Sequence, residues 1–272
     1  FLSNHWEYPW FMLALTLITF ISFVDDVRST SQGLRLVFHF TAMALMFYQW
    51  GLFSLSWWWI IIALIVCTGI INAYNFMDGI NGITVGYSLA VLVPLAVVNM
   101  KSNYVEQSLI ISTILASLVF CIFNFRPKGK AKCFAGDVGS IGIAFIMLFL
   151  LGNVIIKTGD ITWLIFLLVY GVDGCLTIVH RIMLHENLGE AHRKHAYQLM
   201  ANELKIGHVK VTLLYMVLQL IVSFMFIYII PDRLVAHWVY LGTIVGVLTA
   251  AYLLFMKKYY HLHEAYLVSI NK

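Results

Sequence analysis

Apolar residues run through most of the chain without period-two alternation and are interrupted at intervals by short polar stretches. Nine runs approach membrane-spanning length: 8–24, 34–50, 57–76, 82–99, 107–124, 138–156, 161–180, 210–230 and 234–256. A hydrocarbon core of ~30 Å needs about 20 apolar residues per helix, and in lipid only helices or closed barrels satisfy their own backbone. Continuous apolar runs fit helices and lack the alternation of a porin-like barrel. The pattern therefore predicts an all-α, polytopic transmembrane helix bundle of about nine spans, organised as a single domain over residues 1–272.

Composition agrees: 61% of residues are hydrophobic and 11% charged, far from the balance of a soluble domain. The net charge of +4 hides an asymmetry, because fourteen of the seventeen Lys and Arg fall in alternate connections. These are Arg28 and Arg35, the 126–132 cluster, residues 181–210, and the C-terminal end. The other set holds Lys101, Lys157 and Arg233. The positive-inside rule puts the first set in the cytoplasm and the start of the chain outside. Cysteines 67, 121, 133 and 175 show neither paired nor metal-ligand spacing and read as reduced packing residues. Phe1 to Tyr8 carry no signal-peptide pattern, and without an initiating Met the chain is expected to have residues upstream.

Four acids cluster at the cytoplasmic ends of predicted spans: Asp25 and Asp26 in FVDDVRS, Asp78 in NAYNFMDGING, and Asp137 in FAGDVGS. Taken singly, each fits a helix cap. Together, carboxylates this close to hydrocarbon point to a shared polar cavity. Carboxylates and Asn side chains form an all-oxygen set suited to Mg²⁺, and the three segments hold no His or Cys to favour zinc. The glycines of DGING and AGDVGS let backbone amides approach a phosphate at a helix start. Asn72, Asn75 and Asp78, at three-residue spacing, are expected to share a helix face and line the cleft.

The longest cytoplasmic connection, 181–210, mixes His185, His192, His195 and His208 with Arg193 and Lys194. It reads as a phosphate- or sugar-facing segment or as a surface helix; a metal site using His192, His195 and Glu190 is the third reading. Asp173, inside a predicted span, is a functional candidate or a helix-packing acid.

In order and over most of the chain, FVDDVRS, NAYNFMDGING, FAGDVGS and EAHRKHAYQ resemble the polyprenyl-phosphate N-acetylhexosamine-1-phosphate transferases, which include the peptidoglycan enzyme phospho-N-acetylmuramoyl-pentapeptide transferase. The resemblance implies attack of a polyprenyl phosphate on the β-phosphorus of a UDP-N-acetylhexosamine, releasing UMP, with Mg²⁺ or alternatively Mn²⁺ present. It implies Asp25, Asp26, Asp78 and Asp137 as the catalytic set, with Asp137 the principal metal ligand and Asp25 its partner. Asn72, Asn75, Asn81, Phe134, Gly136, His192, Arg193 and His195 would bind substrate, Phe134 by stacking on uracil.

The partners implied are the UDP-sugar, the lipid phosphate and a second copy of the chain, not nucleic acid. The implied location is the bacterial cytoplasmic membrane, with the site facing the cytoplasm. Family members usually begin with two further spans and a glycine-rich loop, so these nine would be the last nine of eleven. AHRKH in place of a triple-His motif resembles the subgroup that initiates O-antigen and capsule. The peptidoglycan enzyme is the alternative. A cation-coupled transporter, which would carry ionisable groups near the midplane and internal repeats, is the alternative of another class.

Overall fold

The computed structural model describes residues 7–187 and 192–270, and within them the chain is helical throughout, joined by short connections. Helix α1 (Pro9–Val27) starts on a proline, whose fixed φ and missing N–H suit a first turn. It turns back into α2 (Gln32–Gln49), whose first turn is capped by Ser31 accepting from the Leu34 amide at 3.4 Å. Next come α3 (Trp57–Phe76), α4 (Ile83–Ser102), α5 (Gln107–Asn124) and α6 (Gly136–Thr158). A 3₁₀ segment, Ile161–Leu167, runs into α7 (Leu168–Met183), followed by the short α8 (Ala196–Asn202), α9 (His208–Tyr228) and α10 (Leu234–Ile270).

Helices α4 and α6 form the buried centre. α1 packs on α2 and α6, α3 on α6, and α4 on α5 and α9. Phe11 of α1 stacks on Phe149 of α6 with ring centroids 3.9 Å apart, and Tyr87 of α4 stacks on Tyr170 of α7 at 3.5 Å. Apolar side chains point outward as well as inward: Trp57, Ile65, Val119 and Leu254 are all exposed. That is the surface of a bundle solvated by lipid tails.

Among the described residues, eight helices are long and apolar enough to cross a membrane. The ninth expected span, 34–50, forms the 18-residue helix α2 but is not among these eight, because Arg35, His39 and its polar ends lower its hydropathy. Run 161–180 is not one regular helix. Where its 3₁₀ part passes into α7 the backbone changes pitch, and freed amides need partners. Val169 N donates to Gln219 Oε1 at 3.2 Å and Tyr170 N to the Tyr87 hydroxyl at 3.2 Å, both buried. At the same end of the bundle, Asp160 caps the 3₁₀ segment through Thr162 and pairs with His237 of α10 at 2.6 Å. The last run also extends: α10 continues well past 256, and its far part is held to α8 by His263 on Glu203 at 3.1 Å. All four cysteines are free.

Candidate active site

Three connections meet at one end of the bundle: α1–α2, α3–α4 and α5–α6. Arg35, one turn into α2, joins the first and last. Its Nη1 lies 2.8 Å from Asp25 Oδ2 and its Nη2 3.3 Å from Asp137 Oδ2. Asp25 Oδ1 also accepts from the Thr30 amide and hydroxyl, both at 2.7 Å. Sequence reasoning counted Arg35 only as part of the topology signal. A lone cation at the start of an apolar helix, facing acids at the end of the previous one, was the available clue.

Asp26 is turned differently. Its Oδ1 accepts from the Asp137 amide at 3.1 Å and its Oδ2 from the Val138 amide at 3.2 Å. It caps the N-terminus of α6 from another helix, where the orphan amides and the dipole favour a carboxylate. Gly136 makes this possible: it has φ +61°, and a Cβ there would sit 2.6 Å from Asp26 Oδ2.

Helix α3 ends at Phe76, so Asp78 stands in the following turn and does not continue a helical face with Asn75. Asn75 Oδ1 accepts from Ser140 of α6 at 2.8 Å, and its side chain also hydrogen-bonds Asp137. Asn72 is exposed on α3, because each three-residue step rotates about 60° around a helix; among the described residues it joins no contact of the cluster. Asp78 accepts from the Thr84 hydroxyl at 2.5 Å. Burial pushes its pKa up to about 6, the Thr84 bond opposes this, and the charges of Asp137 and Asp26 add to it.

Asn81 spends its amide nitrogen on the carbonyls of Arg126 and Pro127, at 3.1 and 3.0 Å, and its backbone N–H on His208 Nδ1 at 3.1 Å. It ties three connections together. Phe134, 83% exposed, projects from the segment leading to α6 with its ring free to stack.

The basic connection closes over this end through α8. Asp173 of α7, 4% exposed, accepts from the Ala196 amide at 3.0 Å and lies 3.4 Å from His195 Nδ1. His195 is thereby buried, 2% exposed, and stacked on Tyr197. His192 lies beside His195 with ring centroids 5.0 Å apart. Burial, then the positive surroundings of His195 and Arg181, lower its pKa to about 4, so it is neutral near pH 7. Arg193 points away, donating to the Tyr266 hydroxyl of α10 at 3.0 Å, with Glu203 at 4.0 Å. Lys194 pairs with Glu186. Glu190, the third member of the metal reading, lies outside the described residues.

Among the described residues no three His, Cys, Asp or Glu side chains come close enough to cage a metal ion. Mg²⁺ does not need that: it keeps waters and borrows phosphate oxygens, using one or two carboxylates. Asp137 and Asp78 are electrostatic neighbours, with Asn75 between α3 and α6, and this hard-oxygen donor set fits such an ion. Asp25 is committed to Arg35 and Thr30, and Asp26 to the α6 amides.

A polytopic helical membrane protein with a cluster of acidic side chains at one end of its bundle is thus defined. A family model described as "Glycosyl transferase family 4" matches residues 8–155, and the chain belongs to that family. The match takes in Asp25, Asp26, Asp78 and Asp137 and ends before the α7–α8 connection.

Among its relatives is a Sulfolobus acidocaldarius protein provisionally named UDP-N-acetylglucosamine–dolichyl-phosphate N-acetylglucosaminephosphotransferase. It is 31% identical over 151 residues, 50% of this chain and 45% of that protein. A Bacillus subtilis protein provisionally named undecaprenyl-phosphate N-acetylglucosaminyl 1-phosphate transferase is 31% identical over 55% of this chain and 42% of its own. The Latilactobacillus sakei phospho-N-acetylmuramoyl-pentapeptide-transferase is 31% identical over 34% of this chain and 28% of its own. The chain spans about half or less of the length of these relatives.

Proposed function

We propose that this chain carries the catalytic part of a membrane transferase that moves N-acetylhexosamine-1-phosphate from a UDP-sugar to a polyprenyl phosphate, yielding UMP and polyprenyl-diphospho-sugar. The reading places the site at the cytoplasmic face of a bacterial cytoplasmic membrane, at the first membrane step of O-antigen, capsule or related glycan assembly. One observation carries it: Asp25 and Asp137, far apart in sequence, share Arg35 beside the α6 N-terminus that Asp26 caps, and Asp78, from a third segment, lies within electrostatic reach of Asp137 and Asp26. Family membership and the names of the relatives support it.

In this mechanism an acceptor phosphate oxygen attacks the β-phosphorus and forms the new P–O bond. The bond from that phosphorus to the bridging oxygen breaks, and UMP leaves with the electron pair. Such transfers need positioning and charge neutralisation more than covalent chemistry. Bound Mg²⁺, held by Asp137 and Asp78, would supply charge neutralisation on the diphosphate.

Arg35 offers a guanidinium for phosphate oxygens as they arrive. Exposed Phe134 stacks on the base, Asn75 orients Asp137, and neutral His192 serves as a hydrogen-bond partner for the sugar or diphosphate. The acceptor phosphate is already largely ionised at neutral pH, so Asp25 and Asp26 act through electrostatics and positioning, not as bases.

The test is UMP release by the protein in detergent with polyprenyl phosphate, Mg²⁺ and UDP-N-acetylglucosamine or its 6-deoxy relatives, beside Asp137→Asn. Lipid-dependent release lost in the variant is expected; full activity in the variant would overturn the assignment of Asp137. The Latilactobacillus relative motivates a second donor, UDP-N-acetylmuramoyl-pentapeptide. Release with that donor alone would move the protein to the peptidoglycan step.

A further inference from the structure

An ionisable side chain inside a membrane span is costly and calls for a reason. Asp173 of α7 makes no contact with Asp25 or Asp137 among the described residues, yet its carboxylate is surrounded by polar groups from two other elements, α8 with its N-cap residue and α9. The Ala196 and Tyr197 amides of α8 approach it at 3.0 and 3.5 Å, the Tyr215 hydroxyl of α9 at 2.6 Å, and His195 Nδ1 at 3.4 Å. Thr177 of its own helix adds a bond at 3.2 Å. A seven-residue helix such as α8 cannot hold itself together in isolation; Asp173 supplies partners for its first two amides.

The other side of α8 rests on the turn that carries Asp78. Tyr197, fully buried, reaches the Phe76 carbonyl at 3.5 Å, and its hydroxyl takes a hydrogen bond from the Gly79 amide. The fit is tight: a Cβ on Gly79 would collide with the Tyr197 hydroxyl and lie 2.5 Å from Gln198 Nε2. Tyr197 also stacks on His195 at 5.6 Å and meets Tyr215 edge-on at 6.0 Å.

We propose that Asp173 is a positioning residue: from within the membrane it fixes α8, and α8, through Tyr197 and Gln198, fixes the Gly79 backbone beside Asp78. The acidic and basic halves of the site are thereby held in register. His195 is then a strut buried between Asp173 and Tyr197, and His192 is the imidazole of this motif that remains for substrate. The catalytic meaning of this register rests on the proposed transferase function; the mechanical link does not.

The test is hydrogen–deuterium exchange of the full chain in detergent, with wild-type UMP release measured in parallel. Asp173→Asn keeps one acceptor oxygen and loses the other. It is expected to speed exchange about tenfold or more both in α8 and in residues 77–82, leaving α4 and α6 protected. Tyr197→Phe, which keeps the Asp173 bonds, is expected to speed exchange in 77–82 alone. Loosening of α8 with 77–82 unchanged in Asp173→Asn, or unchanged 77–82 in Tyr197→Phe, overturns the proposal.

General loss of protection in both variants would reduce Asp173 to a stability residue and also overturns it. If Asp173→Asn does not fold, Tyr215→Phe replaces it and must loosen α8 and 77–82 together. Absence of UMP release by the wild type would count against the transferase reading and leave the exchange pattern to decide the link.

Discussion

The backbone N–H of Asp137 donates to the side chain of Asp26, 111 residues earlier, at 3.1 Å. One acid thereby sets the position of another: Asp26 holds the first turn of α6, and that turn aims the Asp137 carboxylate at Arg35 and Asn75. The paired Asp25–Asp26 has divided its work, with Asp25 held by Arg35 and Thr30 and Asp26 by helix amides.

Gly136→Ala should separate these roles. The new methyl group would need the space of Asp26 Oδ2, and φ +61° is unfavourable for alanine by about 1 kcal/mol. Together with the weakened cap the expected loss is roughly 2–3 kcal/mol of stability, read from thermal unfolding in detergent. UMP release should fall at least about tenfold, because Asp137 moves with its helix. Wild-type unfolding and activity in this variant would show that Asp26 does not cap α6 in the working protein.

Arg35→Ala removes the guanidinium from two carboxylates. Competition for Asp137 then disappears, so stabilisation by Mg²⁺, measured as the shift in unfolding temperature during a titration, should appear at lower ion concentration than in wild type. Without Mg²⁺ the variant should be less stable, since two part-buried acids lose their partner. Arg35→Lys should recover only part, because a single ammonium cannot span both acids as the planar fork does. An unchanged Mg²⁺ titration in Arg35→Ala would exclude competition for a common site.

The spans were legible because lipid imposes one simple constraint, and apolar runs report it directly. The convergence of Asp25, Asp78 and Asp137 was legible for a related reason: acids at alternate span ends must share a face of the membrane. What sequence could not show was the direction in which each side chain turns. Asp26, placed in sequence with the shared acidic set, turns to cap the N-terminus of α6. Asn72 was grouped with Asn75 by spacing, but helix rotation carries it to an exposed face.

Arg193, expected at the substrate, is drawn off by Tyr266 because α10 continues without a proline or glycine to stop it after the span. Asp173 was visible as an oddity, whereas its partners Tyr197 and Tyr215 looked like ordinary aromatic residues of a membrane protein.

Gln219 is a second polar residue whose role was hidden in an apolar run. Its Oε1 accepts from Tyr87 at 2.6 Å and from the Val169 amide at 3.2 Å, while Nε2 donates to the Ile165 carbonyl at 3.1 Å. Gln219→Leu roughly preserves volume and suits the surrounding apolar run, yet strands the Val169 amide and the Tyr87 hydroxyl proton at the pitch change before α7. A loss of about 2–4 kcal/mol is expected, visible as lowered unfolding temperature. A stability equal to wild type would mean that the 3₁₀ segment rewinds and satisfies its own backbone.

Asp78 gives the site a pH signature. Its carboxyl, ordinarily near 3.8, is raised by burial to about 6. Between those values the folded protein binds more protons than the unfolded chain, so without divalent ions its stability should fall as pH rises from about 4 to 6. A difference of about 2 pH units corresponds to at most roughly 3 kcal/mol, and solvent reaching the turn will reduce it.

Mg²⁺ favours the ionised form and should reverse the slope, so that the stabilisation it gives grows through this window. Asp78→Asn removes the proton exchange, and both slopes should flatten. Unfolding temperatures of wild type and Asp78→Asn at pH 4.5 and 6.5, with and without Mg²⁺, provide the measurement. A wild-type response to Mg²⁺ that is independent of pH would place the ion away from Asp78, leaving Asp137 to hold it with another partner.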